Sequence, residues 1–235
     1  MKPISFTHLE WDTNFFNYKV AEIKNQDILK PELEISLNYL KKQDYVLIYL
    51  FLDKEIENKL GSYILELVDT KITYVKSIKK THFAIENINK YESDYPNIDL
   101  INLAIESGGY SRFNTDKNIK KCKFKELYKQ WMINSVNKKI ASDVLTYKEG
   151  NSIMGMVTLG EKNKRGDIGI IAVNKNYRGK KIATKLINAA EIYFEKKCFS
   201  EMQVVTQSIN KPACKLYEKN DFKIDKIEYV YHIWL

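Results

Sequence analysis

The chain has 235 residues, of which 44% are hydrophobic and 29% charged, and its formal net charge is +8. That length makes one large domain or two small ones, and the apolar content excludes a disordered chain. Nine glycines and four prolines exclude a collagen-like or linker-like segment, and the three cysteines, Cys122, Cys198 and Cys214, show neither a disulfide framework nor the spacing of a metal site.

Taken in chain order, the elements read as mixed α/β. Leu33, Leu37 and Leu40 fall at helical spacing within residues 30–41. Residues 45–52 are the longest apolar run, of strand length and far short of the roughly 20 residues that cross a bilayer. Residues 63–68 and 71–78 alternate and flank Asp69-Thr70, which predicts two strands paired about that dipeptide. Residues 98–106 are a further short apolar stretch. Phe124, Leu127, Tyr128, Trp131, Met132 and Ser135 predict a helix over 124–136.

Residues 143–147 and 152–158 flank Lys148-Glu149-Gly150-Asn151, a hairpin signal. Residues 167–173 read as a strand covered on both faces. Residues 182–197 read as a helix with Ile182, Leu186, Ala189, Ala190 and Tyr193 on one face, and 202–206 as another strand. Asn210 caps a short helix with Pro212 in its first turn, where a missing N–H costs nothing. Asn220-Asp221 ends that helix, and residues 226–235 close the chain as an alternating strand. The order β-β-β-α-β-α-β of this second part is a mixed α/β pattern.

Residues 1–12 lack the charged and apolar regions of a secretion signal, so a cytoplasmic location is expected. The basic surplus favours anionic partners: nucleic acid, a membrane surface or a small phosphorylated ligand. The charge is lysine-rich and spread along the chain, and no nucleic-acid-binding motif is present. Neither nucleic acid nor a membrane is expected as a partner.

Chemistry concentrates in residues 167–197. A strand ending in Ile171-Ala172-Val173 runs through Asn174-Lys175-Asn176-Tyr177 into Arg178-Gly179-Lys180-Lys181-Ile182-Ala183, which opens a helix. A helix N-terminus has free backbone N–H groups and a partial positive charge. Gly179 and Ala183 let a phosphate approach those amides, and Arg178, Lys180, Lys181 and Lys185 add formal charge. The stretch is suited to a pyrophosphate; it also reads as a plain basic loop between strand and helix.

The same six residues resemble the coenzyme A motif of the GNAT superfamily, Gln/Arg-x-x-Gly-x-Gly/Ala, and depart from it at Lys181, where glycine is usual. Asn210, Ala213, Leu216, Tyr217 and Asn220-Asp221-Phe222 resemble that superfamily's next helix. The resemblance implies a GNAT fold, with a mixed central sheet flanked by helices and an additional mixed α/β N-terminal half. It implies acetyl-CoA or another acyl-CoA as co-substrate, and no metal. Pantetheine would insert where the strands ending at Val173 and near Thr206 splay apart, and would pair with the backbone of Ile171 and Val173 as an added strand does. The Val173 N–H would polarise the thioester carbonyl. Asn210 would cap its helix, bind the pantetheine arm, or both. Tyr217 would protonate the departing thiolate, the role the resemblance favours; its neighbours Ala213 and Leu216 leave a core aromatic as the other reading.

Three further stretches, Leu9-Glu10-Trp11-Asp12-Thr13-Asn14-Phe15-Phe16, Leu67-Val68-Asp69-Thr70-Lys71-Ile72-Thr73 and Glu106-Ser107-Gly108-Gly109-Tyr110-Ser111-Arg112-Phe113, resemble the dTDP-fucosamine acetyltransferases. That branch acts on dTDP-amino-dideoxyhexoses for surface polysaccharide, including the O-antigen of lipopolysaccharide. The likeness implies a nucleotide-sugar acceptor, with Ser111, Arg112, Thr206 and Gln207 on the acceptor side and a possible homodimer. Residues 1–135 would form the acceptor side and 136–235 the coenzyme-binding core. Lysines 117, 120, 121, 123 and 125 are a source of charge for a diphosphate, or a solvated surface. Trp11, Phe15 and Phe16 read as core or as a nucleotide platform, and Asp12 as the cap of a helix starting at Thr13. The proton acceptor is open among Asp167, His82, His232 and water. Two other functions fit the residues: acetylation of a different amine, such as an antibiotic, polyamine or protein, and a basic nucleic-acid-binding module without catalysis.

Overall fold

The computed structural model describes residues 4–24, 30–79 and 86–235. In chain order the elements are β1 (Thr7–His8), α1 (Glu10–Phe16), β2 (Lys19–Lys24), α2 (Lys30–Lys42), β3 (Tyr45–Leu52), β4 (Lys59–Leu60), β5 (Tyr63–Ile64), β6 (Glu66–Ser77), β7 (Ile88–Lys90) and α3 (Ile98–Ser107). They continue as α4 (Arg112–Thr115), α5 (Lys121–Val136), β8 (Asp143–Glu149), β9 (Ser152–Lys162), β10 (Arg165–Val173), α6 (Ile182–Lys196), β11 (Glu201–Gln207), α7 (Lys211–Lys219) and β12 (Lys223–Trp234). Two compact units result, Met1–Lys71 with Ile227–Leu235 and Ile72–Lys226, the division falling inside β6 and β12.

In the first unit β1 pairs antiparallel with β2, β2 parallel with β3, and β3 antiparallel with β12. The predicted leucine stripe of α2 packs Leu33, Leu37 and Leu40 against Ile48, Leu50, Tyr231 and Ile233. Burying each such side chain contributes roughly 1.5–3 kcal/mol. Asp12 does not cap a helix at Thr13. Helix α1 already begins at Glu10, and Asp12 Oδ1 accepts a hydrogen bond from the Tyr49 hydroxyl at 3.1 Å. Of the aromatic trio, Phe16 is buried, while Trp11 is 42% exposed and stacks on Phe15.

The pairing predicted about Asp69-Thr70 does not form. Residues 66–77 are one strand, and Tyr63–Ile64 pairs instead with Lys59–Leu60. A two-residue hairpin turn needs a residue at positive φ, usually Gly or Asn. Neither Asp69 nor Thr70 adopts one, and β-branched Thr70 suits a strand.

In the second unit the strands lie in the order β6-β11-β10-β9-β8-β7. β10 is parallel to β11 and antiparallel to β9, and β8 is antiparallel to both of its neighbours. Successive side chains of a strand point to opposite faces. Accordingly Val157 and Leu159 meet Ile182, Leu186, Ala190 and Phe194 of α6, whereas Met156 meets Leu100 and Leu103 of α3 and Met132 of α5. The result is a central mixed sheet flanked by helices, as the sequence predicts. The apolar stretch 98–106 is helical because the Asn97 side chain accepts from Leu100 N–H at 3.0 Å and caps it. Helices α3 and α5 belong to the compact unit that carries β8 to β11. Inside this unit Lys76 of β6 and Glu191 of α6 form a buried ion pair at 2.6 Å. No helix among the described residues is long and apolar enough to cross a membrane.

Candidate active site

β10 and β11 pair only at Gly166, Asp167 and Ile168, opposite Met202, Gln203 and Val204. Beyond Ile168 they part. The cause is a bulge: the register of β10 against β9 shifts between Ile168 and Ile171, and the Ile170 N–H donates to Thr158 Oγ1 at 2.8 Å. Such an extra residue bends and re-aims its strand. Contrary to the predicted cover on both faces, Ile170, Ile171, Ala172 and Val173 are only partly buried.

Pairing with β9 resumes at Ile171, and the Asn174 N–H donates to the Met154 carbonyl at 2.8 Å. Antiparallel ladders alternate, so the N–H groups of Ile171 and Val173 face the other edge, where β11 has left. The loop after β10 carries Arg178, whose Nε donates to the Val173 carbonyl at 3.2 Å. Gly179 follows at φ +81°, with open space where a side chain would stand.

Helix α6 starts at Ile182, and its first closure is Lys185 N–H to the Lys181 carbonyl at 3.0 Å. The amides of Ile182, Ala183 and Thr184 precede that closure, so they face out of the helix end. Lys181 sits at φ 60° and makes no side-chain cap, a left-handed conformation that strains a residue with a Cβ by roughly 1–2 kcal/mol. The Lys181→Gly variant relieves that strain against roughly 0.5–1 kcal/mol of added chain entropy. Denaturant titration should therefore show a gain of up to about 1 kcal/mol.

Two cavities of about 230 and 150 Å³ meet in the splay. Ser107, Ile171, Asn210, Ala213 and Tyr217 line both. The larger adds Glu106, Val173, Arg178 and Ala183; the smaller adds Tyr128, Trp131, Gly169, Thr206 and Gln207. Tyr217 is 3% exposed and makes no hydrogen bond to another described residue. Burial, and then the nearby Cys214 thiol, push its pKa above the usual phenol range. Asn210 Oδ1 accepts from Ala213 N–H at 3.3 Å and caps α7.

The structure thus brings Ile171, Val173, Arg178, Ala183, Asn210 and Tyr217 together, with Thr206 and Gln207 next door. Ile182 offers only its backbone, because its side chain is in the core. Lys180 and Lys181 are exposed, and Lys180 Nζ lies 4.5 Å from the centre of the Tyr177 ring. Ser111 and Arg112 line neither cavity. Ser111 is buried, and Arg112 rests 4.4 Å over the Phe113 ring. None of the lysines at 117, 120, 121, 123 and 125 lines a cavity either. Of the candidate proton acceptors, Asp167 accepts from Gln203 Nε2 at 2.7 Å away from the cavity walls. His232 is fully buried in the first unit, stacked on Tyr49, and His82 lies outside the described residues.

A larger cavity, about 510 Å³, lies elsewhere in the second unit, among charges that pair with one another: Arg165 with Glu201 and Asp225, and Lys79 with Asp221. Among the described residues no cluster of His, Cys, Asp and Glu is placed to hold a metal.

Residues 110–222 match the model of the acetyltransferase (GNAT) family. Spore coat polysaccharide biosynthesis protein SpsD of Bacillus subtilis (strain 168) is 25% identical over 135 residues, 57% of this chain and 46% of SpsD, so the chain spans under half of that relative. Streptothricin acetyltransferase A of the same organism is 28% identical over 152 residues, 64% of this chain and 87% of that protein. The fold is shared with a GCN5-related N-acetyltransferase from Sphaerobacter thermophilus, at a TM-score of 0.55 and 11% identity, covering 91% of this chain and 72% of that one. The GNAT match includes the bulged strand, the loop at Arg178, Asn210 and Tyr217, and begins just after Glu106 and Ser107, which complete the wall.

Proposed function

We propose that this protein is an acyl-CoA-dependent N-acyltransferase that transfers an acetyl or short hydroxyacyl group to the amine of a nucleotide-linked amino-dideoxy sugar. The observation that carries the reading is the splay, where the edge amides of Ile171 and Val173 face Tyr217 across one cavity. Those residues fit the coenzyme: an extended pantetheine arm pairs with strand-edge amides, and its diphosphate suits the free amides at the start of α6. The bound coenzyme supplies an acyl group activated as a thioester. Val173 N–H stabilises negative charge on the acyl oxygen, and the neutral Tyr217 phenol gives its proton to the leaving sulfur. Holding both substrates in the splay supplies much of the rate.

The likeness to SpsD, a polysaccharide biosynthesis protein by name, supports a sugar acceptor, as does the resemblance of residues 106–113 to the dTDP-fucosamine acetyltransferases. On this reading the enzyme works in the cytoplasm, as a monomer or a homodimer. The likeness to streptothricin acetyltransferase A favours a second reading, with an antibiotic amine as acceptor.

The test has two steps. Acetyl-CoA at a hundredfold excess over its Kd should stabilise the fold by about 2.7 kcal/mol, read as a rise in melting temperature. Thiol release is then followed with dTDP-4-amino-4,6-dideoxygalactose and with streptothricin. Release with the dTDP-sugar is the expected result, and release with streptothricin alone selects the second reading. No melting shift and no release with either acceptor would overturn both.

A further inference from the structure

Among the described residues that line the two cavities, Glu106 is the one carboxylate and Arg178 the one cation. They face each other: Arg178 Nη2 donates to Glu106 Oε1 at 2.7 Å, while Arg178 Nε donates to the Val173 carbonyl at 3.2 Å. A single guanidinium therefore ties the carboxylate to the strand edge beside Tyr217. The pair is not a staple of the fold, because its side chains are 61% and 36% exposed. Ion pairs that open contribute about 0–1 kcal/mol.

Resting on the acyltransferase reading, two chemical demands meet here. An anionic diphosphate competes with Glu106 for Arg178. The acceptor amine arrives as an ammonium ion and must shed a proton before it can attack. Asp167 and His232 are away from the walls, and the other titratable lining groups, Tyr110, Tyr128 and Tyr217, are phenols, which are poor proton acceptors near neutral pH.

We propose that Glu106 is the catalytic residue that receives the acceptor: its carboxylate binds the ammonium group and takes its proton. The ammonium N–H bond breaks and the proton goes to Glu106. The freed lone pair forms the C–N bond at the acyl carbon. As the C–S bond breaks, sulfur takes the Tyr217 proton, and a second proton from nitrogen restores Tyr217. Glu106 then releases its proton to water. Ammonium and thioester give amide, thiol and one proton. Arg178 holds the carboxylate on the cavity wall until the coenzyme phosphates draw the guanidinium toward themselves.

The test uses the full chain as wild type, Glu106→Gln and Glu106→Asp. Acetyl-CoA binding is measured by calorimetry. Thiol release is measured from pH 6 to 9.5 with whichever of dTDP-4-amino-4,6-dideoxygalactose and streptothricin the wild type acetylates. Glu106→Gln should bind acetyl-CoA as tightly as wild type or more tightly. Its kcat/KM at pH 7 should fall about 100-fold or more, and should recover as rising pH deprotonates the amine in solution. Glu106→Asp should keep about a tenth of the wild-type rate. The charged and titratable groups sharing that chamber are Arg178, Tyr110 and Tyr217, and none of them is altered in these variants. Transfer by Glu106→Gln within about threefold of wild type, or a loss that pH does not relieve, overturns the role of Glu106. A wild type that binds no acetyl-CoA overturns the acyltransferase reading, and this proposal with it.

Discussion

Tyr217→Phe is expected to lower turnover by about 100- to 10,000-fold while leaving acetyl-CoA affinity within about twofold. Tyr217 stands where the two cavities meet, and its hydroxyl has no partner among the described residues. Removing that oxygen breaks no hydrogen bond among the described residues. The ring is held by packing instead, with the Tyr74 and Phe222 centroids at 5.6 and 5.8 Å. Phe preserves those contacts, so the melting temperature should hold while kcat collapses, a loss confined to the transition state.

The raised pKa sets the pH behaviour of this variant pair. A phenol whose pKa rises on folding stays protonated past the usual value of about 10, so wild-type activity should not decline through Tyr217 ionisation below that pH. The same shift gives the fold a contribution that is complete below about pH 10 and is lost as pH climbs further. Tyr74, raised chiefly by burial, and Tyr193, pushed up to about 12 chiefly by burial, act in the same direction. Thiol release and denaturant midpoints across pH 7–11 check both points. Turnover equal to wild type would remove Tyr217 from the mechanism.

Much of this site is readable before any coordinates, because its signals are local. The apolar face of α6, the Asn210 cap with Pro212 behind it and the basic turn at Arg178 are each decided within a few residues, and each stands where the sequence puts it. The splay is different. The groups proposed to work there are backbone amides, which every residue carries, and the bulge that creates it depends on a hydroxyl on the neighbouring strand, Thr158. Tyr128 and Trp131 fall at the i, i+3 spacing of a packed helix face, and spacing cannot tell a face against core from one bordering a cavity. Glu106 lies within a recognisable motif, yet the role proposed for it rests on an arginine 72 residues further on. The run 66–77 shows the reverse failure, since a polar dipeptide imitates a turn that its backbone does not adopt.

The largest stability effect is expected from Lys76→Met. Lys76 Nζ meets Glu191 Oε2 at 2.6 Å, with side chains 9% and 6% exposed, and the other carboxylate oxygen accepts from Lys79 N–H at 3.1 Å. Both oxygens of Glu191 therefore anchor α6 to β6 and the residues just after it. A methionine fills the lysine's volume but leaves a carboxylate buried without its counter-charge, a change that costs about 3–5 kcal/mol. Against a typical total of about 5–15 kcal/mol this is severe, and the melting temperature should fall by roughly 6–20 °C. Lys76→Met combined with Glu191→Leu should recover most of the loss, because an apolar pair in place of a buried ion pair is often neutral or better. About 1 kcal/mol should remain missing, since Lys79 N–H has lost its acceptor. Recovery in the double variant separates a stranded charge from simple loss of packing, which a second truncation would only deepen. If the amides at the N-terminus of α6 hold the coenzyme as proposed, acetyl-CoA should restore part of the melting temperature of the single variant. An unchanged denaturant midpoint for Lys76→Met would show that this pair is not what ties α6 to the sheet.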